Sequence, residues 1–280
     1  MLTPRALERG TPRPFVKWVG GKTQLLPELL ANAPEQFRAY HEPFMGGAAL
    51  FFALVRQERL GRRRAFLSDV NRELVDTYVA IRDEVESVIS ALEQHAYERE
   101  HYYRVRALDP WSMGPSERAA RLLYLNRTGF NGLYRVNRQG EFNVPFGRYT
   151  SPRICDAENL RAVSRALSGV AIEHRPFHGV VERAQPGDLV YFDPPYVPLS
   201  PTASFVSYAQ GGFALEDQER LAGVFDALAE RGVRVMLSNS DTSWVRDRYG
   251  RHRVHSVLAR RNVNSKASAR GPVGEVLVVG

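Results

Sequence analysis

The sequence predicts an α/β fold interrupted by an inserted module of helices and a hairpin. Three observations carry this expectation. Residues 40–69 follow a strand–turn–helix–strand plan, which is a βαβ unit. The alternation then lapses over 72–155. It resumes after 156 and continues to the C-terminus.

The elements follow from local pattern. Residues 1–14 hold three prolines and four charges without an apolar period, the texture of a loose arm. Leu25, Leu26, Leu29 and Leu30 make an apolar stripe, which predicts a helix from Thr23 to Leu30. A strand near Tyr40 ends at Glu42-Pro43-Phe44, and the small residues Gly46-Gly47-Ala48-Ala49 turn the chain into a helix over Leu50–Val55. Ala65–Asp69 reads as a strand ending on a carboxylate. Residues 72–106 and 116–125 read as helices. Residues 133–144 read as a hairpin turning at Asn137-Arg138-Gln139-Gly140. Beyond it come a helix at 157–168, a strand at 170–174 and a strong strand at 188–192. A helix at 215–231, a strand at 233–238 and two terminal strands at 253–258 and 275–279 complete the chain.

Composition narrows the function. The 280 residues are 44% hydrophobic, enough for a sizeable core, and carry a formal net charge of +7, which favours a polyanionic partner. The single cysteine, Cys155, excludes an internal disulfide and a cysteine metal cluster. His174 and His178 are four apart but flank Pro176, which argues against a shared helix face, so they are not read as metal ligands. No run of 18 apolar residues and no apolar leader occurs, so a cytoplasmic location is expected.

The sharpest signal is Asp193-Pro194-Pro195-Tyr196, directly after the apolar strand Asp188–Phe192. Ligands of open α/β sheets bind at the carboxyl ends of strands. The residue types suit chemistry on the exocyclic amine of a nucleobase, whose lone pair is delocalised into the ring and is a poor nucleophile. A carboxylate from Asp193 accepting one N–H and the Pro194 carbonyl accepting the other would localise that lone pair. Prolines stiffen the turn and present its carbonyls, a form of electrostatic preorganisation. Tyr196 offers a flat face to an extruded base. The plain alternative is a strand-terminating turn with two prolines.

Further motifs then appear in a recognisable order. They are Phe15-Val16-Lys17-Trp18-Val19-Gly20-Gly21-Lys22, Glu42-Pro43-Phe44-Met45-Gly46-Gly47-Ala48, Ser68-Asp69-Val70-Asn71, the run from Leu125 to Arg135 with Asn126-Arg127-Thr128-Gly129 at its head, and Gly140 to Tyr149. With Asp193–Tyr196 they cover nearly the whole chain from Phe15 on, and the chain resembles the Dam-type, alpha-group DNA adenine N6-methyltransferases. The resemblance implies a Rossmann-like S-adenosylmethionine-dependent methyltransferase fold with an inserted helical and β-hairpin target-recognition domain. It divides the chain into 1–71 (cofactor binding), 72–155 (target recognition) and 156–280 (second part of the catalytic domain). It implies methylation at N6 of a flipped adenine in double-stranded DNA, within GATC, by direct transfer without a covalent enzyme intermediate. A monomer without metal or membrane partner is expected, associated with the nucleoid, with restriction protection among its possible roles.

Residue by residue, the resemblance gives Trp18, Lys22, Phe44, Gly46, Asp69 and Asp193 to the cofactor, with Asp69 toward the ribose hydroxyls. Asp193, Pro194 and Tyr196 are the catalytic set. Lys17 would contact a guanine, Leu133, Arg135 and Pro145 would read bases, Asn131 belongs to the same DNA-contacting set, and Arg148 would meet a phosphate. Ala48 departs from the family pattern Phe-x-Gly-x-Gly, in which position 48 is a glycine. Apart from the resemblance, Arg135 alternates with Tyr134 and Val136, so a two-stranded ribbon would point it away from them; an arginine there can bond guanine in two places. A solvated surface arginine is the plain alternative.

Other motifs are weaker. Gly20-Gly21-Lys22-Thr23 looks like the end of a phosphate loop, but Val16 occupies the place of its first glycine. Arg62-Arg63-Arg64 and the basic stretch Arg246–Arg261 suit phosphates or a solvated surface equally. Residues 197–213 read as a lid, mobile without DNA and ordered on the flipped base. An N4-cytosine methyltransferase and a non-catalytic DNA-binding protein are the competing functions.

Overall fold

The structure is a computed structural model describing residues 10–18, 20–22, 24–198, 213–260 and 272–280; side chains at 258–260, 272 and 273 lie outside that description. Most of the expected arm, Thr23, Arg261 and nearly all of the expected lid fall outside the described residues.

The chain forms two compact units, one from Met1–Gly21, Gly46–Glu58 and Asn71–His174, the other from Lys22–Met45, Arg59–Val70 and Arg175–Gly280. The second unit carries α1 (Leu26–Asn32), β1 (Ala39–Glu42), β2 (Arg64–Asp69), α7 (Val180–Arg183), β4 (Leu189–Phe192), α8 (Leu215–Glu230), β5 (Arg234–Ser240), α9 (Ser243–Arg248), β6 (Arg253–Arg260) and β7 (Pro272–Val279). Its strands run in the order β2-β1-β4-β5-β7-β6. β1 pairs in parallel with β2 and β4, β4 pairs in parallel with β5, and β7 is antiparallel to β5 and β6. β1 and β4 are buried along their whole length; β4 reads as a continuous apolar run, whereas β1 buries the polar His41 and Glu42. A core of Phe192, Leu221, Phe225, Leu228, Val235 and Val276, with their neighbours, packs around β4 and β5. α8 starts where the Asp217 carboxylate accepts from the Ala214 N–H at 3.1 Å.

The first unit carries α2 (Ala49–Arg56), α3 (Arg72–Glu93), α4 (Arg99–Ala107), α5 (Pro115–Thr128), α6 (Ala157–Leu167) and β3 (Ala171–His174). α3 packs on α5 and α6. Asn71 caps α3 by accepting from the Leu74 N–H at 3.1 Å. The apolar texture of 72–106 splits at 94–98 into α3 and α4, and α3 itself kinks at Glu84 (φ −135°, ψ 38°).

The stretch expected as a hairpin, 133–144, forms one with a short ladder. It reverses direction with an Asn143 N–H to Arg135 carbonyl bond of 2.9 Å and an Asn137 N–H to Glu141 carbonyl bond of 2.9 Å. Only isolated bridges form, Val136 with Phe142 and Gly129 with Phe146. The reason is local. The chain enters through a one-turn 3-10 helix at Phe130–Gly132, and the polar run 137–141 offers no apolar face for a longer ladder.

The small-residue turn before α2 is strained. Gly46 takes φ 44°, a conformation glycine adopts freely, but Ala48 takes φ 49°, ψ 43°. A left-handed conformation costs a residue with a Cβ about 1–2 kcal/mol. The turn therefore keeps the shape that glycine would favour even where the sequence has alanine.

Candidate active site

The second unit gathers its chemistry at one end of the sheet. Chain order reverses between β1, which continues to β2, and β4, which continues to β5. Such a switch point leaves a crevice at the carboxyl ends of its strands. Counting on from the pairs Glu42–Leu67 and His41–Val190, Phe44 falls level with both Asp69 and Asp193. Asp69 thus ends β2, and Phe44 and Asp193 follow the ends of the adjacent β1 and β4 at the same level. The Met45 N–H donates to the Ser68 carbonyl at 3.0 Å and fixes the turn after β1 against the end of β2.

Lys22, itself buried, places its Nζ 2.8 Å from Asp193 Oδ1; the carboxylate side chain is 21% exposed. Burial raises the Asp193 pKa, Lys22 opposes that rise, and Glu275 adds to it. The result is a strong acceptor that remains within reach of a ligand. The Lys22 ammonium also lies 4.8 Å from the centre of the Tyr196 ring. Tyr196 donates its hydroxyl to Glu275 Oε2 at 3.0 Å, and burial keeps that phenol protonated by raising its pKa well above the ordinary value. Phe44 stacks on Phe177 at 5.3 Å, 19°.

The turn after β4 is gripped by residues that the sequence reading did not single out. Gln218 on α8 donates to the Pro195 carbonyl at 2.7 Å. Asn239 on β5 accepts from the Val197 N–H at 2.9 Å and donates to Gln218 Oε1 at 3.2 Å. Both side chains are buried. A signal existed in the sequence: Ser238-Asn239-Ser240 is a polar run closing the apolar strand Val235–Leu237. Glu275 gave no comparable signal, because only the register that puts it opposite Ser240 brings it to Tyr196.

The first unit holds the remaining expected residues. Trp18 packs directly on Gly46, where an added Cβ would sit 2.9 Å from its Cδ1, so only glycine lets the indole approach this turn so closely. Gly46 is fixed by the Tyr78 hydroxyl, which donates to its carbonyl at 3.0 Å. Lys17 is exposed, with its ammonium 4.7 Å from the Tyr149 ring centre. Its main chain is clamped by Asn126, a buried residue missed in the sequence. Asn126 accepts from the Lys17 N–H at 2.7 Å and donates to the carbonyls of Lys17 and Gly132 at 2.8 and 2.9 Å. An amide inside the apolar run Leu122–Leu125 and Thr128 was the available sign.

Asn131, Arg135, Pro145 and Arg148 are exposed and Leu133 is half-buried. Asn131 takes φ 55°, beside the exposed Phe130. The Arg135 guanidinium donates to Asn143 Oδ1 at 2.6 Å and to the Asn143 carbonyl at 3.0 Å, which aims it along the reversed segment.

Residues 18–263 match the family model of D12 class N6 adenine-specific DNA methyltransferases. The chain belongs to that family. The methyltransferase is 43% identical to the type II methyltransferase M1.LlaDCHI of Lactococcus lactis subsp. cremoris, over 95% of this chain and 94% of that one. It is 38% identical to the type II methyltransferase M.MjaIII of Methanocaldococcus jannaschii, over 92% and 95% of the two chains. It is 35% identical to the DNA adenine methylase of Escherichia coli K12, over 95% of each. Among solved structures, the rRNA methyltransferase aviRa of Streptomyces viridochromogenes aligns with a TM-score of 0.37 at 15% identity, covering 98% of this chain and 90% of that one. The methyltransferase has the mixed α/β fold expected of S-adenosylmethionine-dependent enzymes of its family. Among its described residues no helix is long and apolar enough to cross a membrane, and no group of three His, Cys, Asp or Glu is placed to hold a metal ion.

Proposed function

We propose that this methyltransferase transfers a methyl group from S-adenosylmethionine to N6 of an adenine flipped out of duplex DNA, within GATC, with its substrate placing it in the cytoplasm at the nucleoid. The observation that carries the reading is the partly buried carboxylate of Asp193, paired with Lys22 at the end of β4 and at the switch point of the sheet, followed by a turn locked by Gln218 and Asn239.

The residues present fit the cofactor. Asp69 ends the strand beside β1, where an acidic side chain suits ribose hydroxyls. When bound, S-adenosylmethionine supplies an electrophilic methyl on a sulfonium. The chain's own part is to make the amine nucleophilic. Asp193 accepts one N–H of the exocyclic amine and the Pro194 carbonyl accepts the other, which draws the nitrogen lone pair out of the ring. Rigid acceptors of this kind need no reorganisation as charge develops. One proton leaves the amine, and Asp193, whose pKa burial raises, is placed to take it. Tyr196 presents its ring to the base while its hydroxyl is tethered to Glu275.

Residues 72–155 serve as the target-recognition segment in this reading. Lys17, Asn131, Leu133, Arg135, Pro145 and Arg148 supply a mostly exposed set with both charged and apolar members, as base and phosphate contacts require. GATC follows from the resemblance at these positions.

Incubation of the purified chain with plasmid DNA and S-adenosylmethionine, followed by mass analysis of the nucleosides and single-base mapping, is the test. N6-methyladenine at GATC is expected. N4-methylcytosine, or no modification, would overturn the proposed reaction, and N6-methyladenine at another sequence would overturn the site alone.

A further inference from the structure

We propose that Tyr134 is a positioning residue that couples occupancy of the cofactor site to the DNA-reading segment. The inference rests on the reading of Trp18 as a cofactor contact and of Lys17, Leu133 and Arg135 as DNA contacts.

Tyr134 stands between Leu133 and Arg135 in the chain, but its side chain turns inward. Its ring stacks on Trp18 with centroids 5.2 Å apart and planes at 28°. Its hydroxyl donates to Glu73 Oε2 at 3.1 Å. Glu73 is buried and receives Arg121 on its other oxygen at 2.9 Å. Arg121 is in turn fixed to the carbonyls of Val105 and Arg106 at 3.1 and 3.0 Å. Phe142 meets the Tyr134 ring in an edge-type contact with centroids 5.7 Å apart and planes at 70°. Tyr134 is therefore anchored to the helical core at its hydroxyl and to Trp18 at its face.

Trp18 has two further ties. Its indole fills the space over Gly46, and its chain neighbour Lys17 is clamped by Asn126 to the Gly132 carbonyl. A ligand that presses on Trp18 meets a side chain with little room to move alone. Its displacement passes to Tyr134, whose backbone carries Leu133 and Arg135, or to Lys17. Packed side chains with a fixed anchor transmit such a displacement, and the coupling is reciprocal between the two ligands.

The experiment uses the full chain, a duplex containing the target site, and S-adenosylhomocysteine as an unreactive occupant of the cofactor site. Duplex affinity is measured by fluorescence anisotropy with and without saturating S-adenosylhomocysteine. The wild type is expected to show a ratio of about tenfold, within the usual range of coupling between sites. Tyr134→Leu is expected to bring that ratio to about one. Tyr134→Phe, which keeps the stack and loses only the hydroxyl, is expected to retain part of the ratio and guards against a folding defect in the first variant. A merely structural role would weaken both affinities and leave the ratio as in wild type, and that result would overturn the proposal. A wild-type ratio of one would overturn it as well. Failure of the wild type to bind S-adenosylhomocysteine at all would instead remove the cofactor reading beneath it.

Discussion

Asp193→Asn is expected to lower kcat by about 10²–10³-fold, the scale seen when one preorganised polar partner of a transition state is lost. The substitution keeps the shape of the side chain and removes its charge. One terminal oxygen becomes an NH₂ group, which would face the amine hydrogens as a donor against donors. It also removes the carboxylate 2.8 Å from the buried Lys22 ammonium. Duplex affinity is expected to change by less than about threefold, because the DNA-contacting set lies elsewhere in the chain and kcat isolates interactions made in the transition state. Single-turnover methylation with an anisotropy measurement on the same protein separates the two effects. A variant that methylates at more than about a tenth of the wild-type rate would contradict the role given to Asp193.

Arg121→Met carries the largest expected loss of stability, about 3–5 kcal/mol. Arg121 and Glu73 form a buried ion pair, with side chains 2% and 8% exposed. Replacing one partner leaves a carboxylate in a place where burial already raises its pKa and where Arg121 is the strongest opposing influence. The bonds to the Val105 and Arg106 carbonyls are lost at the same time. Replacing both partners, Arg121→Met with Glu73→Leu, removes the stranded charge and is expected to recover most of the loss, as paired removal of buried ions generally does. Urea unfolding of the two single variants and the double variant measures this directly. A loss below about 1 kcal/mol in Arg121→Met would show that water or a rearranged side chain satisfies Glu73.

Much of the fold was legible because its signals are local. The apolar run Leu189–Phe192 is a strand buried on both faces, and the small-residue turn at 46–49 does lead into a helix. Strand order was not legible, because the antiparallel insertion of β7 between β5 and β6 depends on long-range pairing. The site divides in the same way. Asp193, Tyr196, Asp69 and Phe44 announced themselves by position at the ends of apolar strands. Gln218 and Glu275 did not, since a lone polar residue in a helix or strand usually faces solvent and only the fold turns these two toward the Asp193–Tyr196 turn. The 133–144 segment reverses where the sequence put its turn. Its ladder is short, and what the sequence did not announce is the inward turn of Tyr134 to Glu73, which adds a side-chain anchor.

The most direct measurement is a crystal structure of the chain with S-adenosylhomocysteine and a duplex carrying the target adenine. The account places the adenine outside the helix, with its N6 within about 3.2 Å of both an Asp193 carboxylate oxygen and the Pro194 carbonyl. An adenine still stacked in the duplex, or an amine bonded to neither acceptor, would contradict it.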